Sequence, residues 1–429
     1  APQLHTLYCK ASSCKARLAL AHDVSAPFKC THHLRAFQAQ DLMNSIWTRI
    51  RRVAARSSGF YRTGSFAPPR FEYEPILRSE LFSADQMAEH GIALAKQHGI
   101  TTLSARDAML GRLDDNEALL KRSCAALVEA QLSSRRVTPA AEWLLDNFFL
   151  IEDHIRTAKT HLPTGYSREL PRLMNGASTG LPRVYDIALE TISHGDGRVD
   201  EQSLSRFIFS YQTVMPLALG ELWAIPIMLR LALIENLRRV ASRVMANADD
   251  RNLADDWAER LIETSERDVK SLVLNVADMS RSAPPMSPAF VAEFTRRLQG
   301  QSASLALPLN WIEQMLGETG SSIERQVQID AQQQAADQVS ISNSIGSLRL
   351  LSATDWRAFV ESMSHVEQLL SEDPATLYRA MDFGTRDSYR HVIERLARRS
   401  LQYSEIQVAR AAIDLATREA ASVSCEVLA

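Results

Sequence analysis

Three pairs of adjacent carboxylates are the first residues here with the makings of metal chemistry: Asp114-Asp115, Asp249-Asp250 and Asp255-Asp256. Neighbouring acids can hold a divalent cation and, through it, the diphosphate of a nucleotide sugar, provided they sit on rigid, partly buried loops. All three fall at expected helix ends instead, where a carboxylate caps backbone N–H groups or stays solvated, and capping is the reading adopted. Cys9, Cys14, Cys30, His32 and His33 have the residue types of a zinc site. Their spacing is poor: Cys-x4-Cys is loose and Cys30-x-His32 too tight, so no metal site is expected. Gly-x-Gly-x-x-Gly, the phosphate loop, Gly-x-Ser-x-Gly and His-Glu-x-x-His are all missing. No residue of this chain is therefore expected to be catalytic, to bind a cofactor or to ligate a metal.

Charged residues interleave with apolar ones in several helical stretches. They are Glu142, Asp146 and Asn147; Arg168 and Glu169; Glu221, Arg230, Glu235 and Arg238; Asp355; and Arg386, Asp387, Arg390 and His391. Glu221 and Arg230 lie within the most apolar stretch, Val214 to Ile234, and need buried partners; a Glu221–Arg230 or Glu221–Arg238 pair is expected. The favoured reading is a set of ion pairs that fix how helices pack, and the alternative is a polar groove for a sugar or a partner domain. Trp143, Trp223, Trp311 and Trp356 have a spacing that fits core positions better than sugar stacking.

The elements that carry these residues read as helices. Ser83 and Gln86 form a capping box ahead of a helix over 84–98. Helices follow over 115–131, over 140–160 after Thr138-Pro139, over 185–194, and over 201–215 capped by Asp200. Pro216 breaks or kinks the chain, and Pro226 kinks the apolar helix that runs to about Met245. Residues 257–277, 288–298, 309–316 and 323–338 are helical. The β-branched, serine-rich 339–347 reads as a turn or short extended piece. A helix over 355–370, one capped by Thr385, and a last one over 405–421 complete the chain. Strand alternation is missing, so the fold class is all-α, with bundle-like helical domains and little or no β-sheet.

The chain has 429 residues, 48 Lys+Arg against 51 Asp+Glu, and 45% hydrophobic residues. A formal charge of −3 gives no pull toward nucleic acid, and five cysteines exclude a disulfide scaffold. Residues 1–66 hold ten basic residues and two acidic ones. They read as a poorly organised leader whose Asn44 to Arg56 could lie on an anionic membrane surface. Two helical subdomains are expected beyond it, 67–283 and 284–429, separated at Ser282-Ala283-Pro284-Pro285. No stretch reaches the length and apolarity of a membrane span.

Three passages carry a resemblance. They are TPAAEWLLDNFFLIEDHI (138–155) with LPTGYSRELPRL (162–173) and GLPRVYDIALE (180–190); YQTVMPLALGELWAIPIMLRLALIENLRRVA (211–241); and the long run SISNSIGSLRLL…RLARRS (340–400). Together, over about residues 71–419, the chain resembles the amino-terminal region of bacterial cyclic β-1,2-glucan synthases. These are large inner-membrane glycosyltransferases that polymerise glucose from UDP-glucose. The resemblance implies a helical region preceding the membrane segments and the transferase domain, whose Asp and Gln-x-x-Arg-Trp-like motifs are not in this chain. It further implies Mg or Mn with UDP-glucose in the parent protein, the downstream transferase and membrane domains as partners, and a place on the cytoplasmic side of the inner membrane. The expected role is a non-catalytic accessory domain. The alternative is a free-standing helical interaction module or a truncated product without activity.

Overall fold

The computed structural model describes residues 77, 79–101, 108–162, 166–400 and 402–427, with side-chain surroundings up to residue 420. The basic stretch 44–56 and the Cys9, Cys14, Cys30, His32, His33 set lie outside the described residues.

Helices account for nearly all of the described chain, as the sequence predicts. The first part holds α1 (Ala84–Gln97), α2 (Met109–Leu132), α3 (Pro139–Asp146), α4 (Phe148–His161), α5 (Tyr166–Glu169), α6 (Arg183–His194) and α7 (Glu201–Gln212). The long α8 (Leu219–Arg267) follows, then α9 (Leu272–Ser282), α10 (Pro288–Leu298), α11 (Ala306–Glu318) and a second long helix, α12 (Ile323–Ala353). The chain continues with α13 (Trp356–Met363), α14 (His365–Leu370), α15 (Leu377–Ala380), α16 (Phe383–Ser400) and α17 (Glu405–Val427). Two short strands, β1 (Ile100–Thr101) and β2 (Arg172–Leu173), pair antiparallel with Ile100 opposite Leu173.

Local signals explain many of the boundaries. Ser83 accepts from the Gln86 N–H while Gln86 Oε1 accepts from the Ser83 N–H at 2.8 Å, so the capping box forms. Asp200 accepts from the Ser203 N–H at 2.8 Å at the start of α7.

Helix α8 organises the rest. At 1.5 Å per residue its 49 residues span about 73 Å. From Leu222 to Met245 nearly every side chain is buried, including Met228, Leu229, Leu233 and Leu237, so this half is enclosed on all sides and lies within the core. Pro226 does not end it. An interior proline costs about 3 kcal/mol, whereas each fully buried Leu or Ile returns roughly 1.5–3 kcal/mol. The helix also runs straight through residues 246–256, joining what the sequence reads as two elements.

Further boundaries differ from expectation, and the helices expected over 140–160 and 257–277 are each divided, the first at Asn147 and the second between Arg267 and Leu272. Residues 339–347 are the interior of α12, not a turn: Ile341, Ile345 and Leu348 enter the core, and Ser340, Ser344 and Ser347 find buried hydrogen-bond partners. The helix expected over 355–370 is divided, with Asp355 capping α13 and Ser364 capping α14. At α16 the capping side chain is Asp382, which accepts from the Thr385 N–H at 2.9 Å.

The buried apolar residues form three clusters. The largest joins α1–α4, α6, α7, the first half of α8, the second half of α12 and α13. A second joins the end of α8 with α9–α11 and contains Met279 and Phe290, from either side of Ser282-Ala283-Pro284-Pro285. A third, around Tyr378 and Ile393, joins α14–α17.

Candidate functional site

Helix α8 carries buried charge, and its polar groups reach several neighbouring helices. At its N-terminus Glu221 is fully buried. Arg183, at the start of α6, donates from Nε and Nη2 to its two oxygens, each at 2.6 Å. The same carboxylate accepts from the Ala218 N–H at 2.9 Å. This corrects the expected pairing. Arg230 and Arg238 sit on Glu221's own helix, and nine residues of helix separate Glu221 from Arg230 by about 13 Å. Arg230 instead donates to His154 Nδ1 of α4 at 2.9 Å. Burial, with the Arg230 charge adding to it and Asp153 opposing, lowers the His154 pKa to about 4, so this imidazole is neutral at physiological pH.

Glu235 is the second node. It accepts from Arg112 at 2.9 Å and Asn116 at 3.2 Å on α2, and from Arg239 at 2.8 Å. Arg238 stands 3.7 Å away and Tyr185 Oη of α6 3.4 Å away. Burial alone would raise the Glu235 pKa; Arg112, Arg239 and Asn116 outweigh it and hold the carboxyl below its ordinary value. One residue on, Asn236 donates to Ser340 and Ser344 of α12. Arg243 faces Asp337, and Arg251 meets Asp330 at 2.7 Å. Four neighbours, α2, α4, α6 and α12, are thus tied to one helix by polar contacts set in an apolar core.

The N-terminal end of α8 gathers more contacts. The Leu219 N–H donates to Glu405 of α17 at 2.9 Å, and Tyr166 Oη donates to the Gly220 carbonyl at 3.1 Å. Arg398 bridges Glu169 and Glu394. Burial raises the Glu405 pKa to about 7; the Leu219 N–H opposes this, and Glu394 and Glu221 add to it.

A third node spans α13–α16. Arg390, fully buried, reaches Glu367 at 2.6 Å, Glu361 at 2.9 Å and Asp387 at 3.1 Å, with its guanidinium over the Phe383 ring. Arg386 shares both glutamates, and Tyr378 Oη donates to Glu367 at 2.7 Å. His391 is half-exposed beside Asp387 and Glu394.

The sequence-selected residues do not converge on one groove. Glu142, Asp146, Arg168 and Asp355 are exposed, whereas Asn147 is turned inward and accepts from Arg349 at 2.7 Å. The acid pairs are not at helix ends. Asp114 lies within α2 and pairs with Lys159; Asp250 and Asp255 lie within the uninterrupted α8 and meet Ser287 and Arg297. Trp223, Trp311 and Trp356 pack against apolar clusters as expected, while Trp143 is 39% exposed. Cys124 is buried among helices, and burial pushes its thiol up and away from reactivity.

Arg183 and Arg112 were missed by sequence reasoning, since each stands at a helix start with nothing local to mark a distant carboxylate partner. Also unforeseen is a group of three potential metal ligands, His90, Glu190 and His194. Glu190 and His194 are four apart on one helix, a spacing that shares a face, but His90 is a hundred residues away.

The arrangement defines an all-α protein with a central helix pinned by buried arginine–carboxylate pairs. No family model matches the chain. The chain is similar to the cyclic β-(1,2)-glucan synthase NdvB of Rhizobium meliloti (strain 1021), at 33% identity over 362 residues. That alignment takes in 83% of this chain and 12% of the much longer synthase. The resemblance carried by the three sequence passages is thereby borne out, and it covers a small segment of the relative. Among the described residues no helix is long and apolar enough to cross a membrane.

Proposed function

We propose that this chain is a non-catalytic helical domain of a cyclic β-1,2-glucan synthase-like glycosyltransferase, and that it braces the transferase and membrane-spanning parts of that protein. The observation that carries this reading is the 33% identity to a cyclic β-(1,2)-glucan synthase across most of the chain. The side chains support it. Glu221, Glu235 and Glu367, the buried acids most suited to proton transfer or cation binding, are each engaged by arginine within 3 Å. Such carboxylates hold helices together and keep no open coordination position for a diphosphate-bound cation. In this reading the parent protein transfers glucose from UDP-glucose with Mg or Mn, on motifs outside these 429 residues, at the cytoplasmic face of the inner membrane. The basic leader is a second surface for contact with anionic lipid.

The test is glucose incorporation from labelled UDP-glucose by the purified chain with Mg or Mn. No incorporation above a protein-free blank is expected. Incorporation that disappears in Glu221→Gln would overturn the non-catalytic assignment.

A further inference from the structure

Where His90 of α1 meets Glu190 and His194 of α6 we infer a site for a divalent transition metal, zinc by its ligand chemistry, formed by these three side chains. The site does not depend on the function proposed above. His90 Nε2 lies 2.8 Å and His194 Nε2 lies 3.3 Å from the same oxygen, Glu190 Oε2. One ligand atom from each residue falls within 4.8 Å of the other two. In tetrahedral zinc with bonds near 2.0–2.1 Å, ligand atoms stand about 3.3 Å apart, so small side-chain shifts suffice.

The orientation of His194 is the second observation. Its Nδ1 lies 2.7 Å from the Glu80 carbonyl oxygen, which can only accept, so Nδ1 carries a proton. The neutral ring then leaves Nε2 as a lone pair 3.3 Å from Glu190 Oε2, itself an acceptor. Two acceptors at 3.3 Å repel unless a cation or an extra proton lies between them. Backbone carbonyls that fix a histidine tautomer in this way are the usual outer support of a metal ligand. His90 joins by presenting Nε2 as a lone pair and moving its proton to Nδ1.

The surroundings suit a cation. Glu190 and His194 occupy the last turn of α6, where the helix dipole favours positive charge. The Phe82 ring stacks on His194 at 3.8 Å and closes one side. The side chains remain 24%, 30% and 10% exposed in the order His90, Glu190, His194, which leaves an entry path and room for a water as fourth ligand. Two imidazoles and one carboxylate favour zinc over the all-oxygen sites of calcium or magnesium. The bound ion would clip α1 to α6 beside the Ser79 N–H to Ser193 and Phe82 N–H to His194 carbonyl bonds, which already hold the preceding segment on α6.

The experiment uses the full chain with Cys9, Cys14, Cys30 and Cys425 changed to Ser, which leaves Cys124, buried among helices, as the one remaining thiol. After chelator treatment it is titrated with Zn²⁺ by calorimetry and with Co²⁺ by visible absorption. One equivalent of zinc is expected, with cobalt d–d bands, no sulfur-to-cobalt charge transfer, and a rise in Tm on zinc addition. Glu190→Gln and His194→Gln should each weaken zinc binding about tenfold or more and abolish the Tm rise. Absence of zinc uptake by the chain with intact His90, Glu190 and His194 would overturn the site, and so would binding unchanged in both variants. The cobalt spectrum needs no substitution in the triad, so it decides even where a variant fails to fold.

Discussion

Arg183 closes a two-toothed clamp on Glu221, 38 residues further along the chain, with both contacts at 2.6 Å and both side chains almost wholly out of water. The clamp joins the first turn of α6 to the first turn of α8. Removing one partner strands a buried charge, which costs about 3–5 kcal/mol. Glu221→Ala is expected to lose that much in urea denaturation, and a double-mutant cycle with Arg183→Ala should show strong coupling. A loss below about 1 kcal/mol, the range of exposed pairs, would contradict the clamp.

His154 and Glu405 should pull the stability–pH curve in opposite directions. His154 falls from 6.5 unfolded to about 4 folded. The unfolded chain therefore binds the extra proton, and stability is lost as pH drops from about 6.5 to about 4. Glu405 rises from 4.5 to about 7. Here the folded chain holds the extra proton, and stability is lost as pH climbs from about 4.5 to about 7. Each is worth at most about 3 kcal/mol, and in the shared window they offset one another. Glu405→Gln should expose the His154 slope and raise the Tm at pH 8. His154→Asn, which keeps an acceptor for Arg230, should expose the opposite slope. Parallel pH profiles in all three proteins would contradict both assignments.

Gly197 docks the α6–α7 turn on α12. Its φ is +79°, and an added Cβ would lie 2.4 Å from Ser344 Oγ and 3.1 Å from the Ser340 carbonyl oxygen. Gly176 has φ +81° with open space around it. Left-handed backbone costs a residue with a Cβ about 1–2 kcal/mol, and crowding a packed core adds about 1–3 kcal/mol. Gly197→Ala should therefore lose about 2–5 kcal/mol and Gly176→Ala only about 1–2 kcal/mol, as read by thermal denaturation. Equal losses would mean that the turn is not seated on the serines.

Arg390 neutralises Glu361, Glu367 and Asp387 together. Arg390→Ala should destabilise by about 3–5 kcal/mol, and hydrogen exchange should rise first in α14–α17. Uniform exchange across the chain would contradict the grouping of those helices around Tyr378 and Ile393.

What the sequence conveyed follows from the range of each interaction. Ser83, Asp200 and Pro139 act within one turn, so the starts of α1, α7 and α3 could be read directly. The serines of α12 resemble a turn because their helix penalty is local, whereas their compensation comes from Gly197, Val199 and Asn236 far along the chain. Pro226 misleads in the same way, since the burial that outweighs it belongs to surrounding helices. The need of Glu221 for a buried partner was clear from its apolar neighbours. That the partner is Arg183 depends on how α6 crosses α8, and no spacing within either helix encodes it. The His90, Glu190 and His194 group is likewise a product of helix crossing.

The assignment to a larger glucan synthase is tested most directly by the size and location of the native protein. An antibody against residues 71–419 would probe membrane and soluble fractions of cells that make it. A membrane-bound band several times larger than 47.9 kDa is the expected result. A soluble band at the size of this chain would contradict it and leave a separate helical module in its place.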